Sequence, residues 1–337
     1  MINPKIPPLQ QRSWRRELKR SCHHARDLLD RTGLGADPAI ASQIASDPDF
    51  AVLASRSYIN RIQPGQPNDP LLRQILPLNQ EEIRQEGFTI DPLEESKFQP
   101  IPGFIRKYHG RVLLIVTGAC AIHCRYCFRR NFPYHLGSAQ LSHHWPTMLK
   151  EIKRDPSIRE VILSGGDPLM LETEKLAKIS QEISDISHVN TLRIHTRLPV
   201  VLPERITTNL LSWLKDCPLQ VVMVIHSNHP NELDDEVRYV LNALHQTGIT
   251  LLNQTVLLKG INDHPTVLAD LSQALFSMGV LPYYLHDLDP VRGTHHFAVN
   301  EARKLELMEY LKEQLPGYLV PVFVREIPHK PYKSRIF

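Results

Sequence analysis

The sequence predicts an α/β fold, a parallel sheet that curls toward a barrel, and three observations carry that expectation. From Gly110 onward, short apolar runs alternate with helical patterns roughly six times, the pattern of successive β-α units. Crossovers between parallel strands are right-handed, so such a sheet bends in one sense. The 337 residues suffice for one large α/β barrel or two ordinary domains.

Taken in order, residues 1–95 read as a helical N-terminal region. Trp14 to Arg31 is rich in Arg, Lys and Leu at helical spacing, and Gly33-Leu34-Gly35 stops it. Its basic face (Arg12, Arg15, Arg16, Lys19, Arg20) reads first as a solvated helix surface and second as a contact for a partner. A Pro- and Asn-rich stretch follows at Ile62 to Pro70, and Pro92 to Pro102 reads as a linker. Strands are expected at Val112–Val116, Glu160–Leu163, Thr191–His195, Gln220–Ile225, Thr250–Leu257 and Leu281–Leu285. Helices are expected between them, at Glu172–Ser184, Asn231–Thr247 and Pro265–Met278. The chain thus divides into an N-terminal region (1–95), a barrel (96–300), and a C-terminal helix and tail (301–337).

Composition narrows the function classes. Hydrophobic content is 42% and charged content 22%, ordinary for a soluble globular protein. A net charge of +3 is too small to argue for a nucleic-acid partner. There is no run of 18 apolar residues to span a membrane, and the N-terminus lacks the apolar core of a signal peptide. Of the five cysteines, Cys22 and Cys217 stand alone, which argues against a disulfide scaffold and for a reducing, cytoplasmic setting.

The other three cysteines carry the chemistry. Cys120, Cys124 and Cys127 stand in GACAIHCRYCFRR, a C-x3-C-x2-C spacing just after the first barrel strand. Soft thiolates suit an iron–sulfur cluster or zinc. A [4Fe–4S] cluster usually takes four cysteines, so three would leave one iron open, and an open position makes a metal site reactive. Zinc sites usually show two separated ligand pairs, and no second pair is present. Ser164-Gly165-Gly166-Asp167-Pro168 follows the next strand, where glycines permit a left-handed backbone or the close approach of a ligand.

The cysteine spacing, with Tyr126 before the third thiol, resembles the signature of the radical S-adenosylmethionine (SAM) superfamily. That resemblance implies a partial (β/α)6 barrel, SAM chelated to the open iron, and reductive cleavage of SAM to a radical. It also implies that Ser164, Gly165, Gly166 and Asp167 meet the methionine moiety of SAM. RVLLIVTGAC, LRIHTRLPVVLPERIT, VIHSNHPNEL and LNQTVLLKGIND resemble the lysine 2,3-aminomutase family more specifically. By that resemblance His226 and Gln254 contact SAM, and Arg111 holds the phosphate of pyridoxal 5′-phosphate. Arg129 would take the substrate carboxylate, with two acids, Asp287 and Glu326, for the distal ammonium of L-lysine. Glu326 stands where the fermentative lysine enzymes carry Asp. The family also places a lysine in the tail to hold the pyridoxal aldehyde. Lys330 and Lys333 are both available in REIPHKPYKSRIF, and the spacing from the acid position favours Lys333.

INRIQPGQPNDPLLRQILP and the ending PYKS resemble the bacterial branch that acts in the (R)-β-lysylation of elongation factor P. The expectations that follow are conversion of L-α-lysine to (R)-β-lysine and a link to elongation factor P and its lysyl ligase. A reductant such as flavodoxin or ferredoxin would supply the electron. The sequence leaves a homo-oligomer open, and implies no membrane and no direct nucleic-acid partner. Two rival readings are a related aminomutase acting on another amino acid and a metal-stabilised RNA- or ribosome-binding protein.

Overall fold

The computed structural model describes residues 13–45, 50–132 and 137–337, with the backbone alone for 137–142. A nine-stranded sheet runs in strictly sequential order. Its strands are β1 (Phe104–Ile105), β2 (Arg111–Thr117), β3 (Glu160–Gly165), β4 (Thr191–Thr196), β5 (Gln220–His226), β6 (Thr250–Val256), β7 (Leu281–His286), β8 (Val322–Arg325) and β9 (Ser334–Arg335). Strands β2 to β8 are parallel, while β1 and β9 add antiparallel edges. Each step from β2 to β8 carries a helix, so six β/α units are followed by a seventh parallel strand. All six expected strands are present, each within two residues of its expected end.

The strands form where the sequence supplies β-branched and leucine runs that a sheet covered on its outer face can bury. Leu114, Leu163, Leu192, Ile194, Met223 and Ile225 are fully enclosed. The helices opposite them are capped where the sequence gives a cap. Thr207 accepts from Leu210 N at the start of Thr208–Asp216, and Asp234 accepts from Val237 N at the start of Asp235–His245. The second of these shortens the expected Asn231–Thr247 helix, because Pro230–Glu232 forms a separate 3₁₀ turn. Helix Gly137–Arg154, with Pro146 inside it, covers β2 and occupies the first of the expected positions between strands.

The N-terminal region shares the barrel's core. Leu28, Tyr58, Leu71 and Leu72 join the same apolar cluster as the strand residues. The expected helix from Trp14 to Arg31 is instead two, Trp14–Leu18 and Ala25–Arg31. Cys22 breaks it by exchanging backbone hydrogen bonds with Ala54 (2.8 and 3.1 Å). The basic face is largely paired: Arg15 bonds Glu172, and Arg16 and Arg20 meet Glu17. Arg12 lies outside the described residues. The expected linker also carries structure, a 3₁₀ turn at Glu95–Phe98 that buries Glu95. Among the described residues, no helix is long and apolar enough to cross a membrane.

Candidate active site

The parallel strands direct successive C-terminal ends at one cavity of about 450 Å³. Cys120, Cys124 and Cys127 line it from the loop after β2, and Ser164, Gly165, Gly166 and Asp167 from the end of β3. His226 closes β5 and lies opposite Gln254 of β6 in the sheet register, so both reach the same wall. Arg111, which opens β2, and Lys333, Glu326 and Arg129 line the cavity as well. Of the candidate site residues singled out in the sequence, Asp287 and Lys330 are not among its walls.

The cysteine loop is held by arginines and glycines. Arg125, between the second and third thiols, is fully buried and grips both oxygens of Glu81, its Nε at 2.8 Å. Arg130 donates to the same carboxylate at 2.7 Å. Arg197, at the end of β4, donates to Cys124 Sγ at 2.7 Å. The glycine pair has a packing reason that the sequence did not show. Gly165 has φ of +133°, and a Cβ there would collide with the Thr117 carbonyl oxygen. A Cβ at Gly166 would collide with the Ala119 carbonyl oxygen. The glycines therefore let the β3 turn lie directly against the cysteine loop.

Asp167 is a strut between these turns. Its carboxylate accepts from Thr196 Oγ1 (2.7 and 2.9 Å), Arg197 N (2.7 Å) and Leu169 N (3.0 Å). Burial nevertheless pushes it up to about 6. Its side chain thus braces the β3 and β4 turns while lining the cavity. Tyr126 stacks on His226, its hydroxyl 2.9 Å from the imidazole Nε2. Burial and the Arg197 charge keep His226 neutral, well below its ordinary value.

The residues present fit a [4Fe–4S] cluster. Three thiols from one short loop face a common space, and burial followed by the neighbouring thiols pushes Cys120 up and Cys127 to about 11. Bare thiolates are therefore disfavoured there, and bound cations invert that balance. Among the described residues, no group of three or more His, Cys, Asp or Glu side chains stands close enough together to hold a single metal ion.

Farther along the wall lies a ladder of alternating charge. Lys333 donates to Glu326, whose other oxygen accepts from Lys107 at 2.8 Å. Lys107 Nζ is 3.8 Å from Glu95, and Glu95 binds Arg129 through both oxygens at 2.7 and 2.8 Å. Arg129 also donates to Ser164 Oγ at 3.0 Å. Burial raises the Glu326 carboxyl, but Lys333 and Lys107 outweigh it and hold it down to about 2. Lys330 lines a smaller neighbouring pocket with Phe98 and His329, so the tail presents Lys333, and not Lys330, to the main cavity.

The Asp287 expectation requires correction. Asp287 is buried against helix Glu301–Gln314, bound by Lys304 (2.8 Å) and by Arg325 (2.5 Å). Asp289, two residues on, faces the cavity instead. Burial, with the Glu326 charge next, pushes it up to about 7. Three more lining residues escaped the sequence. His195 and His286 each carry a buried Nε2 without a partner among the described residues, and burial lowers both, His286 to about 3. Arg193, the third, is held by Glu160 through three hydrogen bonds of 2.6 to 3.0 Å.

Comparison with known proteins places this geometry. A family model described as a 4Fe-4S single cluster domain matches residues 109–196. An L-lysine 2,3-aminomutase of Buchnera aphidicola is 42% identical over 338 residues, covering 100% of this chain and 98% of the relative. One from Escherichia coli is 43% identical, covering 91% and 90%. Among solved structures, Streptococcus suis SuiB bound to S-adenosylmethionine superposes with a TM-score of 0.49 at 12% identity, covering 66% of this chain and 52% of that one. The full-length relatives at these identities settle the matter: the chain belongs to the L-lysine 2,3-aminomutase family of isomerases.

Proposed function

We propose that the protein converts L-α-lysine to (R)-β-lysine, using pyridoxal 5′-phosphate beside the cluster, and that the product serves the β-lysylation of elongation factor P. The observation that carries the reading is one cavity lined both by three thiols and by a lysine amine, guanidinium groups and carboxylates. Cys120, Cys124 and Cys127 would hold the cluster, leaving one iron for SAM beside Gly165, Gly166, His226 and Gln254. Lys333 offers an amine for the pyridoxal aldehyde, and Arg111, which faces the cavity with Tyr108 beneath it at 5.8 Å, offers a planar donor for the phosphate. When bound, pyridoxal phosphate supplies an aldehyde for the substrate amine and delocalises the unpaired electron during migration.

The chain's own charges then orient lysine. Arg129 directs one Nη toward Ser164 while Glu95 fixes its plane, a geometry suited to a substrate carboxylate. Glu326 already serves two lysines, so Asp289 is the carboxylate best left for a distal ammonium. The elongation factor P role rests on the resemblance of residues 59–77 and of the tail. A reductant protein such as flavodoxin or ferredoxin would deliver the electron.

The test is turnover by anaerobically reconstituted protein with SAM, pyridoxal phosphate, dithionite and L-lysine, with products resolved by chiral chromatography and mass spectrometry. (R)-β-Lysine is expected. SAM cleavage with lysine unchanged would remove the substrate assignment. Transfer of the product to elongation factor P by a lysyl ligase tests the last part separately.

A further inference from the structure

Arg197 stands at an unusual place for a cation, 6% exposed and in contact with a cluster cysteine. Its Nη1 donates to Cys124 Sγ at 2.7 Å, while its Nη2 donates to Glu232 Oε2 and Gln74 Oε1, each at 2.8 Å. The guanidinium also lies over the rings of Tyr58 (5.4 Å) and Tyr126 (5.8 Å). Glu232 is itself fully buried and accepts from Asn228 N, His229 N and Gln74 Nε2, so it cannot swing away from the arginine.

The buried guanidinium of Arg125 meets oxygen acceptors, Glu81 and the Phe50 carbonyl. In Arg197 one arm is spent on sulfur. With Cys124 ionised as a ligand, the three groups carry one positive and two negative charges in a water-poor setting, where each charge is felt strongly. Hydrogen bonds and charges at cluster sulfurs set the reduction potential of iron–sulfur centres.

We propose that Arg197 is a positioning residue for the cluster, orienting Cys124 and raising the cluster's reduction potential, with Glu232 setting how much of its charge is felt. The step concerned is the entry of one electron into the cluster from an external reductant, with no bond made or broken. The reduced cluster carries one more negative charge, so a neighbouring cation favours it and a neighbouring carboxylate opposes it. The inference rests on Cys120, Cys124 and Cys127 being the cluster ligands.

The experiment is an anaerobic redox titration of the reconstituted full chain, without SAM or substrate, followed by electron paramagnetic resonance. Iron and sulfide contents are measured on the same samples. Arg197→Met should lower the reduced-to-oxidised ratio at fixed potential about tenfold, which is about 59 mV for one electron. Glu232→Gln should move the ratio the other way, and Arg197→Lys should fall between Arg197→Met and the parent. Ratios within twofold of the parent for Arg197→Met and Glu232→Gln, at equal iron content, would overturn the proposal, as would shifts of the same sign. If Arg197→Met takes up no iron, Arg197→Lys and Glu232→Gln decide by the same signs. If the parent binds a cluster and Cys124→Ala binds it equally well, the ligand assignment itself fails.

Discussion

Replacing Glu81 with glutamine should destabilise the protein by more than about 1 kcal/mol and at most by about 3–5 kcal/mol, the usual cost of stranding a buried charge. Glu81 is 9% exposed and pairs with two guanidinium groups, those of Arg125 and Arg130, which flank the third cysteine. Three charge-assisted hydrogen bonds meet there, each worth roughly 1.5–3 kcal/mol net. They do not sum. Arg125 keeps its bond to the Phe50 carbonyl oxygen (2.8 Å) and the face of the Phe50 ring (5.2 Å) after the change. The neutral amide can also still accept one bond. The range for breaking a buried pair is therefore a ceiling for the effect rather than a floor. The assay is anaerobic urea denaturation of cluster-free protein, followed by circular dichroism, so that metal binding does not contribute. Iron content after reconstitution reads the cysteine loop separately and should fall together with stability. A loss below about 1 kcal/mol, the range of exposed ion pairs, would refute the view that this carboxylate clamps the loop.

Other perturbations address the remaining walls of the cavity. Lys333→Ala should abolish the visible absorbance of lysine-bound pyridoxal phosphate while sparing the iron–sulfur bands, and Lys330→Ala should leave both intact. Asp289 is raised to about 7 from an unfolded value of about 3.9, so its contribution to stability is present below pH 4 and lost as pH rises through 7. Asp289→Asn should therefore flatten the pH dependence of denaturation across that window, and should weaken lysine binding above pH 7. Melts that keep the parent's slope would place the raised group elsewhere. Gly166→Ala should cost iron binding, because its methyl would meet the Ala119 carbonyl oxygen. Full iron content in that variant would show that the loop can shift without harm.

What the sequence made legible, and what it hid, follows from how far apart partners lie. The six central strands were readable because parallel strands buried on both faces are continuous apolar runs, such as Val112–Val116. Strand β8 is only Val322–Arg325, just after Pro321, too short to stand out as a run. The first helix was misread because its break at Cys22 depends on Ala54, 32 residues away, and no local pattern encodes that bridge. The cysteine spacing is local and was plain. Glu81, Glu95, Lys107 and Arg197 are invisible in the same way as Ala54, since their partners lie 34 to 219 positions off. The choice between Asp287 and Asp289 shows a different limit. Strand parity puts residues two apart on one face, but β7 ends at His286 and the backbone turns thereafter. Asp287 N still donates to Val324 O at 2.8 Å, while its side chain swings to Lys304 on the outer helix.

The sequential strand order has a mechanical consequence. A sheet ordered β1 to β9 has two free edges, and among the described residues no ladder of backbone hydrogen bonds joins them. The seam is bridged by side chains: Lys107 to Glu326, and Glu94 to His329 at 2.7 Å. Widening that seam breaks side-chain bonds and leaves every strand ladder whole. The wall around the three thiols is braced by buried polar side chains, Arg125, Asp167 and Arg197. The opposite wall, which carries Lys333, is held by side-chain bonds through Glu326 to Lys107 instead, so the two halves of the cavity are fastened in different ways.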